Sequence, residues 1–223
     1  MTNPFRGNPM SFFARSAAAL AAALLLSQPA TAEPGFYAGA FLGIVWNGDQ
    51  TLDGAAGAPE VSLEEGGDLS VFAGYNFGAV GPAGSLRTEL QFSGRAADVK
   101  RITGGAGPVT GTFEEGAAFV NVLYDFDHTG TRFVPYVGAG FGHAELGYKN
   151  YGTAGGQVLD GTDEVWGAQA IAGLGYDVSE KVRIFADYRY RDYRQSRVAT
   201  TTGGAARVDA DSASLNLGFL YAF

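Results

Sequence analysis

Residues 213–223 read ASLNLGFLYAF. One alternate set is Leu215, Leu217, Phe219, Tyr221 and Phe223; the other is Ser214, Asn216, Gly218, Leu220 and Ala222. Successive side chains on a strand point to opposite sides, so the two sets meet different surroundings. One face is large and apolar, the other small or polar.

The same alternation recurs upstream. In 86–95, Leu86, Thr88, Leu90 and Phe92 oppose Arg87, Glu89, Gln91, Ser93 and Arg95. In 182–191, Val182, Ile184, Ala186, Tyr188 and Tyr190 oppose Arg183, Phe185, Asp187, Arg189 and Arg191. Further segments of this kind lie at 36–46, 69–77, 117–126, 133–145 and 165–177, divided by turn-rich stretches. The connections alternate in length: 47–68, 96–116, 146–164 and 192–211 are long, while 78–85, 127–132 and 178–181 are short. Long outer loops and short periplasmic turns distinguish outer-membrane barrels. The expected fold is therefore all-β, an eight-stranded antiparallel up-and-down transmembrane β-barrel.

The apolar faces have two possible directions. In a soluble ligand-carrying barrel they would point inward and the charges would meet water. The glycines argue for the membrane reading: Gly39, Gly43, Gly138, Gly140, Gly142, Gly173 and Gly175 share the parity of the smaller face. A narrow eight-stranded interior must be filled to fit, and small residues leave room for long charged ones. Buried charges need partners, so Glu89 and Asp187 are expected to pair with Arg87, Arg183, Arg189 or Arg191 inside the lumen. Aromatic residues sit at strand ends, with Phe36 and Trp46 on the first strand, Tyr124 and Phe126 on the fourth, and Trp166 and Tyr176 on the sixth. Two interfacial girdles would place them there.

The first 32 residues are expected to be a signal peptide. Arg6 and Arg15 precede and flank the apolar run AAALAAALLL at 17–26, and Ala-Thr-Ala at 30–32 is a small-x-small cleavage site. About ten apolar residues fall short of the ~20 that a spanning helix needs. Cleavage removes two arginines and no acid, taking the formal charge from −8 to −10. That charge gives no support for nucleic-acid binding. With no cysteine there is no disulfide framework or thiol chemistry.

Catalysis would need a nucleophile beside an oriented base. The histidines are His128, in a short turn, and His143, followed by Ala144 and Glu145 rather than by a serine. The Gly-x-Gly runs at 138–142 and 173–175 lie within strands and precede no helix, so they are not nucleotide loops. No cofactor site is legible. Glu64–Glu65 and Glu114–Glu115 read as solvated charge, with weak Ca²⁺ capture by Asp160 and Asp163 left open.

With these residues in view, the chain resembles the OmpA-like, opacity-type family of outer-membrane β-barrels. The matching stretches are GFYAGAFLG (35–43), AGYNFG (73–78), NVLYDF (121–126), PYVGAGFG (135–142), AGLGYDVS (172–179), ADYRYRDY (186–193) and LNLGFLYAF (215–223). The resemblance implies a terminal aromatic signal, Phe219, Tyr221 and Phe223, read by the barrel-assembly machinery. It also implies a lumen salt-bridge core, to which Glu89 and Asp187 correspond, and residence among outer-membrane lipids and lipopolysaccharide. The peptidoglycan-binding domain of larger relatives has no counterpart after the barrel, so wall tethering is not expected. The expected role is structural and surface-interacting, with the long loops meeting a host or cell-surface ligand. A small porin is the alternative, and a lipid A-modifying barrel enzyme a more distant one.

Overall fold

The computed structural model describes residues 34–55, 58–104, 107–127, 130–200 and 204–223; the expected signal peptide, its cleavage point and His128 lie outside them. Ten strands run in chain order: β1 (Gly35–Asn47), β2 (Gln50–Asp53), β3 (Glu60–Leu63), β4 (Gly66–Ala79), β5 (Ser85–Ile102), β6 (Val109–Asp125), β7 (Phe133–Thr153), β8 (Gly156–Asp177), β9 (Val182–Ala199) and β10 (Ala205–Ala222). The eight long ones form one antiparallel ring, β1–β4–β5–β6–β7–β8–β9–β10, closed by β10 returning to β1. At that closure Tyr37 faces Ala222 and Asn47 faces Ser212. The fold is the up-and-down barrel that the alternation requires.

The outer face of the lower ring is an apolar belt. Leu42, Ile44, Leu69, Leu90, Val120, Val122, Val137, Leu174, Ile184, Leu215 and Leu217 are all exposed. Arg87, Glu89, Gln91, Ser93 and Arg95 are buried on the inner face of β5, and Asp187, Arg189 and Arg191 on that of β9. The apolar faces therefore point outward, as the glycine argument required. Short turns close the lower end. At the β4–β5 turn Gly78 takes φ 79°, a left-handed conformation that costs a glycine little, and its amide donates to the Asn76 side chain at 2.8 Å.

The long connections depart from expectation. Most of 96–116, 146–164 and 192–211 is strand: β7 spans 21 residues and β8 spans 22, joined through residues 154–155 alone. A membrane-crossing strand needs only about 9–11 residues, so the wall continues well beyond the bilayer. In the remaining connection, 47–68, β2 pairs with β10, β3 pairs with β5, and β2 pairs with β3. The hairpin thus continues the ring where β1 and β4 have ended.

The physical reason is an inversion of hydrophobic phase. Within the belt, outward residues are apolar because lipid lies outside. Above it water lies outside, and the apolar residues move to the inward parity: Val99, Phe113, Leu146, Tyr148, Leu159, Val198 and Val208 are buried. Glu145, Glu164, Asp192 and Arg194 face out. Strand geometry is continuous while the polarity of its faces is reversed.

Candidate functional site

The interior is the part of the molecule with chemistry to explain. At the lower mouth a cavity of about 780 Å³ is lined by Arg132, Asp177, Lys181 and Arg183 and ends on Tyr37 and Arg87. Arg183 bridges Asp177 and Asp125, both at 2.6 Å. Arg87 joins Asp125 at 2.8 Å and Glu89 at 2.9 Å. Across the lumen, Arg189 pairs with Asp187 at 2.8 Å and stands 4.3 Å over the Phe41 ring. Tyr136 and Asn216 each donate a further hydrogen bond to Asp187.

Above these pairs lies an amide layer. Gln169 donates to Gln91 at 2.9 Å and also to Asn121, whose own amide donates to Glu89 and Gln91. It hands on to a second charge layer, where Arg191 pairs with Glu115 and Arg95 with Asp68 at 2.9 Å. Ser212 and Ser214 accept hydrogen bonds from Arg95. The five arginines Arg87, Arg95, Arg183, Arg189 and Arg191 are thus met by the buried Asp68, Glu89, Glu115, Asp125 and Asp187, with Asp177 at the mouth as a second partner of Arg183.

Phe41, Phe72, Tyr136 and Phe185 fill the rest of the lower lumen, with Phe72 and Phe185 ring centroids 6.0 Å apart. Small residues make this filling possible. A side chain at Gly140 would overlap Asn121 and crowd Gln169, and one at Gly173 would overlap Tyr136. The upper storey, beyond Phe119 and Tyr193, is closed by packed Leu52, Val61, Leu146, Tyr148, Tyr151, Leu159 and Val208. Buried polar contacts hold it: Tyr151 donates to Gln50 at 3.1 Å, Tyr148 meets Ser196 at 2.7 Å, and the Ser196 hydroxyl donates to the Val208 carbonyl at 3.3 Å. Burial raises the phenols of Tyr148 and Tyr151 above the ordinary tyrosine range.

The expected cluster residues are all inward, but they form two layers rather than one. Arg87 with Glu89, and Arg189 with Asp187, are direct pairs. Arg183 instead serves Asp125 and Asp177, and Arg191 serves Glu115. Sequence reading missed Asp68, Arg95, Glu115 and Asp125 as cluster members. Glu115 is buried at 4% exposure, which corrects its reading as solvated charge. Its odd-numbered parity with Asn121 and Asp125 on β6 was the available signal.

The girdle residues line both rims. Phe36 packs edge-on against Tyr75, Tyr124 against Phe126, and Tyr176 lies by Phe133. At the other rim Trp166 stacks on Phe141 at 5.3 Å, and the Trp46 indole donates to Glu65. Phe219 and Tyr221 face outward on β10, with Phe223 packed edge-on against Tyr221. His143 lies at the outer rim, edge-on to Trp166 and 3.9 Å from Glu164. Asp160 accepts from Gln157 and Asp163 from the Arg197 amide; among the described residues no His, Asp and Glu group is arranged to hold a metal.

A closed antiparallel ring with an apolar outer belt, aromatic rims and an ion-paired interior is a transmembrane β-barrel of the outer-membrane class. Residues 16–223 match the model of the outer membrane protein beta-barrel domain family. The chain belongs to that family and is a protein of the outer membrane. Its fold is similar to Neisserial surface protein A (TM-score 0.54, 19% identity, covering 88% of this chain and 100% of that one). It is similar too to OprG from Pseudomonas aeruginosa (TM-score 0.53, 16% identity, 86% and 96% covered). The Escherichia coli outer membrane protease OmpT shares the architecture at 7% identity and TM-score 0.52, covering 89% and 99%. No curated protein matches the chain in sequence.

Proposed function

We propose that this is a non-conducting, non-catalytic envelope protein, whose barrel reinforces the outer membrane and whose raised wall carries short tips to a surface partner. The observation that carries this reading is the filling of the lumen, by ion pairs and amides below and by packed apolar side chains above. Eight strands enclose an interior about wide enough for side chains alone, and here side chains occupy it. A steady aqueous path would have to cross both fillings.

The non-catalytic part rests on the histidine that the structure describes. His143 neighbours Trp166 and Glu164 on the outer surface, and no serine hydroxyl bonds to it there. The expected partners follow from position. The rim carrying Trp46, Phe141 and Trp166 meets lipopolysaccharide, and the in-step Phe219, Tyr221 and Phe223 serve the assembly machinery. The wall ends at Thr103 and Gly104, 154–155, and Thr200 and Gly204 are what a host or cell-surface ligand would touch first.

Planar-bilayer recording of the purified protein tests the central claim. Insertions without steady open-channel current are expected. Stable unitary currents in most insertions would replace this reading with a small porin.

A further inference from the structure

The lumen is packed from Tyr37 upward, while the cavity of about 780 Å³ below it stays open at the lower mouth. Its floor is closed. Arg87 is committed to Asp125 and Glu89, at 2.8 and 2.9 Å, and the Tyr37 hydroxyl donates to the Thr88 carbonyl at 3.1 Å. On the wall, Arg183 donates from Nη1 to Asp125, and from Nε and Nη2 to the two oxygens of Asp177 at 2.6 and 3.2 Å. Both Asp177 oxygens are thereby taken from the β9 side. On its β7 side stands Arg132, whose carbonyl accepts the Asp177 amide at 2.9 Å. The Arg132 guanidinium lines the cavity and has no ion pair among the described residues.

Lys181 is in the same condition. The Ser179 hydroxyl accepts the amides of Lys181 and Val182 at 3.3 and 3.1 Å, and the Lys181 carbonyl accepts the Ala222 amide at 2.8 Å. Its backbone is pinned on both sides, and its half-buried ammonium lines the cavity with no ion pair among the described residues. Of the acids on the cavity wall, Asp177 is filled by Arg183, Asp127 accepts the Ser85 hydroxyl, and Glu180 is exposed beside Lys181. The depth is that of the lower girdle. Arg132 directly precedes the outward Phe133, which packs on Tyr176, and the turn that carries Lys181 begins with the exposed Val178. Aromatic girdles mark the level where hydrocarbon gives way to headgroups.

We propose that the lower mouth is a socket for the headgroup of a zwitterionic phospholipid of the inner leaflet, with its phosphate between Arg132 and Lys181 and its ammonium beside Glu180. A guanidinium fork matches two phosphate oxygens, and a lysine adds a compact charge. A soluble phosphate ester offers the same chemistry, but the position favours the lipid. The cavity wall includes Phe36, which belongs to the outward girdle, so the socket borders the lipid-facing rim. The turn at 178–181 is short, and a headgroup folds over it while the acyl chains stay in the belt. The inference goes beyond the sealed-lumen reading, since the socket lies below the closed floor and needs no axial passage.

The full barrel in detergent is titrated with phosphatidylethanolamine, and the one-to-one adduct is read by native mass spectrometry. Combining Arg132→Gln with Lys181→Gln is expected to weaken that adduct about tenfold, the effect of two partly exposed charge contacts. Lys100→Gln removes an exposed cation from the raised wall and should leave the adduct unchanged. Glu180→Gln should weaken phosphatidylethanolamine while phosphatidylglycerol binds no worse. Diacylglycerol with the same chains should not form the adduct. Equal binding by the wild type and the double variant would overturn the socket. Soluble glycerophosphoethanolamine binding as tightly as the lipid would overturn the lipid as its source. Unchanged phosphatidylethanolamine binding in Glu180→Gln would overturn the ammonium contact. Heat-modifiable migration checks folding, and Lys181→Gln alone, with a smaller loss of the same sign, substitutes if the double variant does not close. Bilayer conductance is a separate readout, so failure of the socket and failure of the axial seal are distinguishable.

Discussion

At the residue scale, the lower lumen is a set of mutually dependent charges. Removing one partner leaves the other unpaired in low dielectric, which typically costs about 3–5 kcal/mol. Arg189→Ala, which strands Asp187, is expected to lose that much in urea unfolding from vesicles. Replacing both partners with Met and Leu should cost clearly less, because a buried pair often breaks even with an apolar isostere. A single-variant loss below about 1 kcal/mol, the scale of exposed pairs, would mean that water reaches the site. Gly140→Val tests the filling itself: its side chain collides with Asn121 and crowds Gln169, so unfolding should shift to lower urea. Arg87, Glu89, Asp187 and Arg189 were legible in sequence because each alternates with large apolar neighbours. Asp68, Asp125 and Glu115 were not. Each lies at the end of an alternating segment, where a carboxylate reads as solvated, and only ring closure sets it opposite an arginine.

At the element scale, strand positions within the membrane were legible and strand lengths were not. The reading followed one polarity, apolar outward, and so ended each strand where the phase inverts. The alternation continues through Phe113, Leu146, Tyr148 and Val208 in the opposite sense, which an eye set for water outside would have found. The belt and the raised wall should therefore respond separately. Leu146→Asp puts an unpaired charge into the upper core and should loosen 109–116 and 144–166 in hydrogen exchange, while the heat-modifiable band persists. Alkali should act on the same storey. The folded phenols of Tyr148 and Tyr151 titrate above the ordinary value of 10, so their contribution is intact below about pH 10 and is lost as pH rises through the folded values. Absorbance at 295 nm should show these two ionising only together with loss of the upper wall. Their titration alongside exposed tyrosines would contradict their burial.

At the scale of the whole molecule, a closed ring resists detergent until heated. The unboiled protein in the outer-membrane fraction should migrate faster on SDS gels than the boiled form, whereas an unshifted band would be incompatible with closure. The pairing of β1 with β10 carries a further consequence, for the order in which the molecule is built. The first strand finds its partner in the last, so their contacts lie among the most distant in the chain. Every other joint in the membrane belt links long strands that follow one another along the chain and can form as the chain is delivered. Until β10 arrives, β1 presents an open row of backbone donors and acceptors, which inside lipid is costly and invites pairing with a second chain. The nascent sheet therefore has to be chaperoned along one edge for nearly its whole history. Changes in 213–223 should appear as a failure to finish, with protein retained as an open intermediate, before they appear as any loss of stability in the finished barrel.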